Sequence, residues 1–317
     1  MGMISTFLDL TIRVGCHLTY EATAPTPVVF MLRPRLDDAH LVTVEKRSFE
    51  PDLPSNEFQD SHGNLACRSM LKPGHNDIRY DALVAVSSTP ENQGAPGVLP
   101  VPVYELPAEL LRYTLPSRYC DSDKLFDFAW KHFGQIANGH ERVQAICDWV
   151  HNNIEYRYGS GRPDLSASEV IEQRYGVCRD FAHVVVALCR TFNLPARYVS
   201  GHLPEIGFVV SSHPEDFHAY CEVYLGGRWF TFDARFNAPR TGRIKLSHGL
   251  DAVDGAFATI YGEARLSYFE VWTYQVNPKE VGIGDPVDLS KRLDGSSPTA
   301  DKQADKEPVD KQPHQPS

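Results

Sequence analysis

Residues 175–202 read YGVCRDFAHVVVALCRTFNLPARYVSGH, and the two cysteines in this stretch are placed very differently. Cys178 follows Gly176 and Val177 and opens an apolar helical pattern, whereas Cys189 lies inside it. A free cysteine in mid-helix among apolar neighbours is usually a small core residue. That reading serves for Cys147, Cys189 and Cys221. A thiol at a helix start has a second use. The dipole and the unpaired N–H groups of the first turn stabilise a thiolate there. The same N–H groups can donate to a tetrahedral oxyanion. Position thus singles out Cys178 as a candidate nucleophile.

Outward from this helix the chain divides by period. Residues 4 to about 115 are β-rich, with runs such as TFLDLTIRVGCHLTYEA (6–22) and NDIRYDALVAVSST (76–89) separated by turn residues. Short strands at this spacing predict an antiparallel β-sandwich over 1–115. A stretch rich in proline and glycine, PENQGAPGVLPVPVYELP (90–107), reads as a linker over the surface. From CDSDKLFDFAWKHFG (120–134) the period is helical. Ser166 and Glu169 have capping-box spacing, and the Cys178 helix follows. After Pro195 the pattern returns to β. Helices first and strands after predict an α+β unit over 116–284. The tail, 285–317, has no aromatic residue and few apolar ones, and is expected to be disordered.

A nucleophilic cysteine needs a base and a group to orient that base. DFHAYCEVYLGGRWFTFDARF (216–236) supplies both. Gly226-Gly227 signals a two-residue hairpin turn. Pairing Leu225 with Arg228 puts Tyr220 opposite Asp233, so His218 and Asp233 share one face as diagonal neighbours, about 7–8 Å apart at the backbone. The other face carries Ala219, Cys221, Val223, Phe230 and Phe232 and is apolar. One face packs on a core; the other presents an imidazole beside a carboxylate.

Composition narrows the partners. The 317 residues are 42% hydrophobic and 23% charged, with a formal net charge of −10. That argues against nucleic acid or an anionic membrane as the main partner. Seven cysteines with no C-x-x-C spacing suggest free thiols in a reducing, cytoplasmic setting, without a zinc ribbon. The start, MGMISTFLDLTIRVG, alternates like a strand and does not read as a secretory leader. No phosphate-binding loop, dinucleotide fingerprint, zincin motif or serine elbow occurs, so no metal or cofactor is expected. DAVDG (251–255) reads as a turn, not a calcium loop.

The order Cys178, His218, Asp233, with the segments at 175–202, 217–235 and VHNNIEYRYGSG (150–161), resembles the transglutaminase-like superfamily. RIKLSHGLDAVDGAFATIYG (243–262) and the β-rich first third are similar to its bacterial cysteine-protease-like members. The resemblance implies a papain-like arrangement in which the cysteine helix packs on a sheet carrying the other two residues. It implies that Cys178 attacks a carboxamide or ester carbonyl and that His218 pairs with the thiolate and protonates the leaving amine. Asp233 would orient the imidazole, and a thioester would form. The substrate would be a peptide or protein, through a peptide bond or a glutamine-like side chain. Gln173, Tyr175 and Tyr156 are candidates for a second oxyanion donor. Water as acceptor makes the protein a hydrolase, an amine makes it an acyl transferase, and loss of catalysis would leave an interaction module. The complete trio favours an enzyme.

Overall fold

The computed structural model describes residues 7–91, 95–209 and 214–295. The first six strands are β1 (Leu10–Ala22), β2 (Thr26–Phe30), β3 (His40–Glu50), β4 (Ser55–Gln59), β5 (Leu65–Leu71) and β6 (Gly74–Val86). Then come α1 (Phe126–Phe133), α2 (His140–Asn153), β7 (Glu155–Tyr156), α3 (Ala167–Gln173), β8 (Tyr175–Gly176) and α4 (Cys178–Thr191). The chain continues through β9 (Ala196–His202), β10 (His218–Leu225), β11 (Arg228–Phe232), β12 (Ile244–Gly249), β13 (Ala258–Ile260) and β14 (Ala264–Gln275). The fold is α+β with antiparallel sheets, as the sequence pattern predicts.

Two four-stranded sheets form the sandwich, in the orders β14-β1-β6-β3 and β13-β2-β5-β4. Ile12, Val14 and Leu18 of β1 share a core with Val28, Phe30, Leu71 and Ile78. The sandwich therefore takes two strands from beyond residue 250, and the expected division at 115 does not separate it from the C-terminal half of the chain. The reason is hydrogen bonding. β1 is buried along most of its length and pairs with β6 on one side. Its other edge needs a second ladder, which β14 supplies from Ile12↔Gln275 to Ala22↔Ala264.

The second unit is a sheet in the order β11-β10-β9-β12, covered by helices. Val184, Val185 and Leu188 of α4 are fully buried with Val143, Ile146 and Val150 of α2 and with Cys221, Val223, Phe230 and Phe232 of the hairpin. The hairpin register is the expected one: Leu225 pairs with Arg228 and Cys221 with Phe232. Both turn glycines have positive φ, 53° at Gly226 and 90° at Gly227, as this tight turn demands. On its other side the sheet contributes Ile244, Leu246 and the nearby Phe217 to the sandwich core, so the two units share packing.

The proline-rich connection is tied down more firmly than its composition suggests. Ala95 is buried in the helical core. Val98 O accepts from His140 N at the start of α2, and Leu99 O accepts from Gly226 N at the hairpin turn.

The tail differs from expectation in its first part. Residues 285–295 are ordered against the body. Arg13 reaches the carbonyls of Asp285 and Pro286. The Asp294 side chain is fully buried beside Arg292 and accepts from Glu205 N and Gln275 N, at 3.0 and 3.1 Å. A short charged residue here caps backbone donors that the apolar count cannot reveal. The rest of the expected disordered tail lies outside the described residues. Asp294→Ala, which strands those donors, should cost about 2 kcal/mol of unfolding free energy by urea titration. A loss near zero would mean that the segment is not docked in solution.

Candidate active site

The geometry begins at the start of α4. Asp180, with no exposed surface, turns back so that its Oδ2 accepts from Val177 N at 3.0 Å, while Oδ1 accepts from Arg179 Nε and Nη2. Asp180 closes the first turn and places a carboxylate at the helix start. A side chain at Gly176 would put Cβ 2.8 Å from Asp180 Cβ, so the glycine makes room for this cap. Cys178 is thereby held at the first helical position. It is half-buried, packed against Ala182, Tyr198 and Ala219. The other six cysteines are buried and free, and burial pushes the thiols of Cys147, Cys189 and Cys221 up.

His218 opens β10, next to Ala219, on which Cys178 packs, and Cys178 is among the groups that raise the imidazole. His218 Nε2 lies 2.7 Å from Asp233 Oδ2. That leaves Nδ1 as the ring nitrogen available to the thiol. Asp233 follows the end of β11, where Oδ1 also accepts from Arg235 N at 3.1 Å. The three residues singled out on sequence are thus brought together, with His218 and Asp233 on one face of the hairpin.

The electrostatics depend on a fourth residue that sequence reasoning missed. Arg243, just ahead of β12, donates Nη2 to Asp233 Oδ2 at 2.7 Å and Nε to Glu91 Oε2 at 2.8 Å. Its guanidinium sits 4.5 Å from the centroid of the Tyr220 ring. Burial alone would drive the Asp233 proton on, but the charges and hydrogen bonds of His218 and Arg243 hold its carboxyl well below the usual carboxylate range. Burial likewise works against charge on His218, yet Asp233 and then Cys178 outweigh it and raise the imidazole to about 9.

Of the three candidate oxyanion donors, Gln173 gives its amide to Tyr175 O at 2.7 Å, and the Tyr175 ring is covered by the Arg157 guanidinium at 4.0 Å. For Tyr156, burial and then the charge of Cys178 push the phenol up to about 12, so it stays a proton donor. Tyr198 of β9, not singled out on sequence, packs on the thiol from the sheet side. His183 is buried, stacks on Tyr119 and accepts from Ala252 N through Nε2, a structural role. The DAVDG segment is a turn, with Asp254 N and Gly255 N both donating to Asp251 O.

Comparison with known proteins gives the family. Residues 131–234 match the family described as the transglutaminase-like superfamily. A candidate cysteine protease from Cytophaga hutchinsonii, known from its crystal structure, is 34% identical, with a TM-score of 0.77 over 84% of this chain and 91% of that one. The chain belongs to the transglutaminase-like superfamily and has a cysteine-protease-like fold. An uncharacterised protein of Mycobacterium leprae is 33% identical over 128 residues, 38% of this chain and 46% of that protein. A human protein named kyphoscoliosis peptidase is 26% identical over 129 residues, 39% of this chain and 18% of its own length. The chain thus spans about half or less of these two relatives.

Linkage gives the pH dependence. The His218 value in the fold lies above its ordinary 6.5, so its pairing stabilises the protein fully below pH 6.5 and ceases to as pH rises through about 9. Asp233 lies below its ordinary 3.8, so its share is present above that pH and is lost on acidification. The His218 ring followed by NMR should titrate near 9, and in Asp233→Asn it should fall, because Cys178 is then left to oppose burial without the aspartate charge. An unmoved titration in the variant would break the assigned pair.

Proposed function

We propose that the protein is a thiol-dependent amide-bond hydrolase, a cysteine peptidase or isopeptidase acting through Cys178, His218 and Asp233 and a thioester acyl-enzyme. The observation that carries this reading is the helix-start Cys178 packed on Ala219, beside His218, whose imidazole is bound to Asp233, itself held ionised by Arg243. The family and the protease-like fold support it.

In this mechanism the Cys178 thiolate attacks a carboxamide carbonyl carbon. The C=O π pair moves onto oxygen, where the first-turn N–H of Cys178 and the Tyr156 phenol can donate. His218 gives the proton on Nδ1 to the departing nitrogen as the C–N bond breaks, leaving a thioester. Neutral His218 then takes a proton from water, the hydroxyl adds to the thioester carbonyl, and collapse expels the thiolate. Asp233 keeps its charge throughout and fixes the ring by accepting from Nε2. The substrate would be a peptide or protein bearing such an amide. An amine in place of water would turn the same thioester into a new amide. Water needs no dedicated pocket, so hydrolysis is the favoured outcome.

Incubation with a glutamine-containing peptide, with and without a primary amine, separates the two outcomes by product mass. Free acid should dominate; conjugate in excess would make the protein an acyl transferase. Cys178→Ser should keep the native melting transition while kcat falls roughly 10³-fold or more, and His218→Ala should lose about 10²–10⁴-fold. A folded, fully active serine variant would overturn the assignment.

A further inference from the structure

The segment after Asp233 carries three arginines, and they are used differently. Arg243 is committed to Asp233 and Glu91. Arg240 is committed to Glu205 and to Pro204 O. Arg235 meets no carboxylate among the described residues. Its guanidinium lies 3.7 Å from the centroid of the Tyr156 ring and 5.2 Å from that of Phe236. Both rings border the reacting groups: Tyr156 responds to the charge of Cys178, and Phe236 sits 5.3 Å from the His218 ring. Arg235 N is tied to Asp233 Oδ1, which fixes its backbone relative to the same centre. The acid nearest this cleft in sequence, Asp216, turns its Oδ1 back onto Phe217 N at 2.6 Å and forms no ion pair with Arg235.

A guanidinium clamped by two aromatic faces keeps its N–H edges for an in-plane acceptor, and a carboxylate matches that fork. We propose that Arg235 is a specificity-determining residue that binds a carboxylate carried by the acyl donor, so that the preferred substrates are anionic near the scissile carbonyl. This rests on Cys178 being the reactive thiol of the site. Tyr156 links the two groups: the Arg235 guanidinium lies over its ring, and its phenol responds to the charge of Cys178. The net charge of −10 makes a local cation more valuable, since the rest of the surface repels an anionic substrate.

The test uses two alkylating reagents of similar size, neutral iodoacetamide and anionic iodoacetate. In both, the Cys178 thiolate displaces iodide and forms one S–C bond. Rates at Cys178 are read by peptide mass mapping on the full chain and divided by those of N-acetylcysteine in the same buffer. The expected result is a relative preference for iodoacetate that falls about tenfold in Arg235→Gln and weakens with added salt, while the iodoacetamide rate stays within about twofold. Arg235→Lys should keep part of the preference. The His218 imidazolium also attracts iodoacetate, but it is present in every variant, so the difference isolates Arg235. Two protectants identify the source of the carboxylate. Slower alkylation with N-acetylglutamate α-amide points to an acidic side chain, and with N-acetylglycine to a chain end. No loss of preference in a folded Arg235→Gln, an equal loss with both reagents, or protection by neither compound would overturn the proposal. If Cys178 shows no selective alkylation at all, it is the catalytic reading that fails.

Discussion

A single carboxylate oxygen organises the site. Asp233 Oδ2 accepts from His218 Nε2 and from Arg243 Nη2, each at 2.7 Å. An anion this buried is tolerated only because two cations and a backbone N–H compensate it. The arrangement has consequences in both directions. Toward the thiol, it fixes the imidazole through Nε2 and leaves Nδ1 for chemistry. Away from it, Arg243 carries the constraint to Glu91, just beyond β6 at the start of the proline-rich connection. The charge state of the site is therefore tied to the junction between the sandwich and the helical unit.

That junction explains why the two units are not independent. β14 returns from the second unit to complete the β1 ladder. Phe217, one residue before the imidazole, is buried in the sandwich core. Asp294 and Arg292 brace the segment that leads to His218, through Glu205 and Glu215. Glu215 is pushed up to about 7 by burial, so its ion pair with Arg292 weakens as the pH falls through neutrality. The sandwich thus serves as a support against which the His218 strand is positioned.

Much of this was legible in the sequence where the signal is local. The glycine pair at 226–227 dictates the hairpin register, and the register puts His218 and Asp233 on one face. Ser166 with Glu169 forms the capping box its spacing predicts, and Cys178 begins its helix. What was not legible depends on contacts between distant segments. Arg243 has no local mark that distinguishes it from Arg235 or Arg240, because the difference lies in which guanidinium the fold brings to Asp233 and to Glu91, some 150 positions earlier. The β14 return likewise has no signature beyond its strand pattern, since an alternating run does not say which edge it completes. The docked start of the tail was hidden because buried polar caps hold it together with a single packed valine, Val287, too little apolar surface to read as a core segment.

The central claim is that the thiol at the start of α4 carries the acyl group. Acid quenching during turnover of an activated acyl donor, followed by peptide mass mapping, tests it most directly. The account predicts one acyl group, as a thioester, on the peptide containing Cys178. The adduct should accumulate when His218→Ala slows deacylation. Turnover with no adduct at Cys178, or acylation spread over the other cysteines, would contradict it.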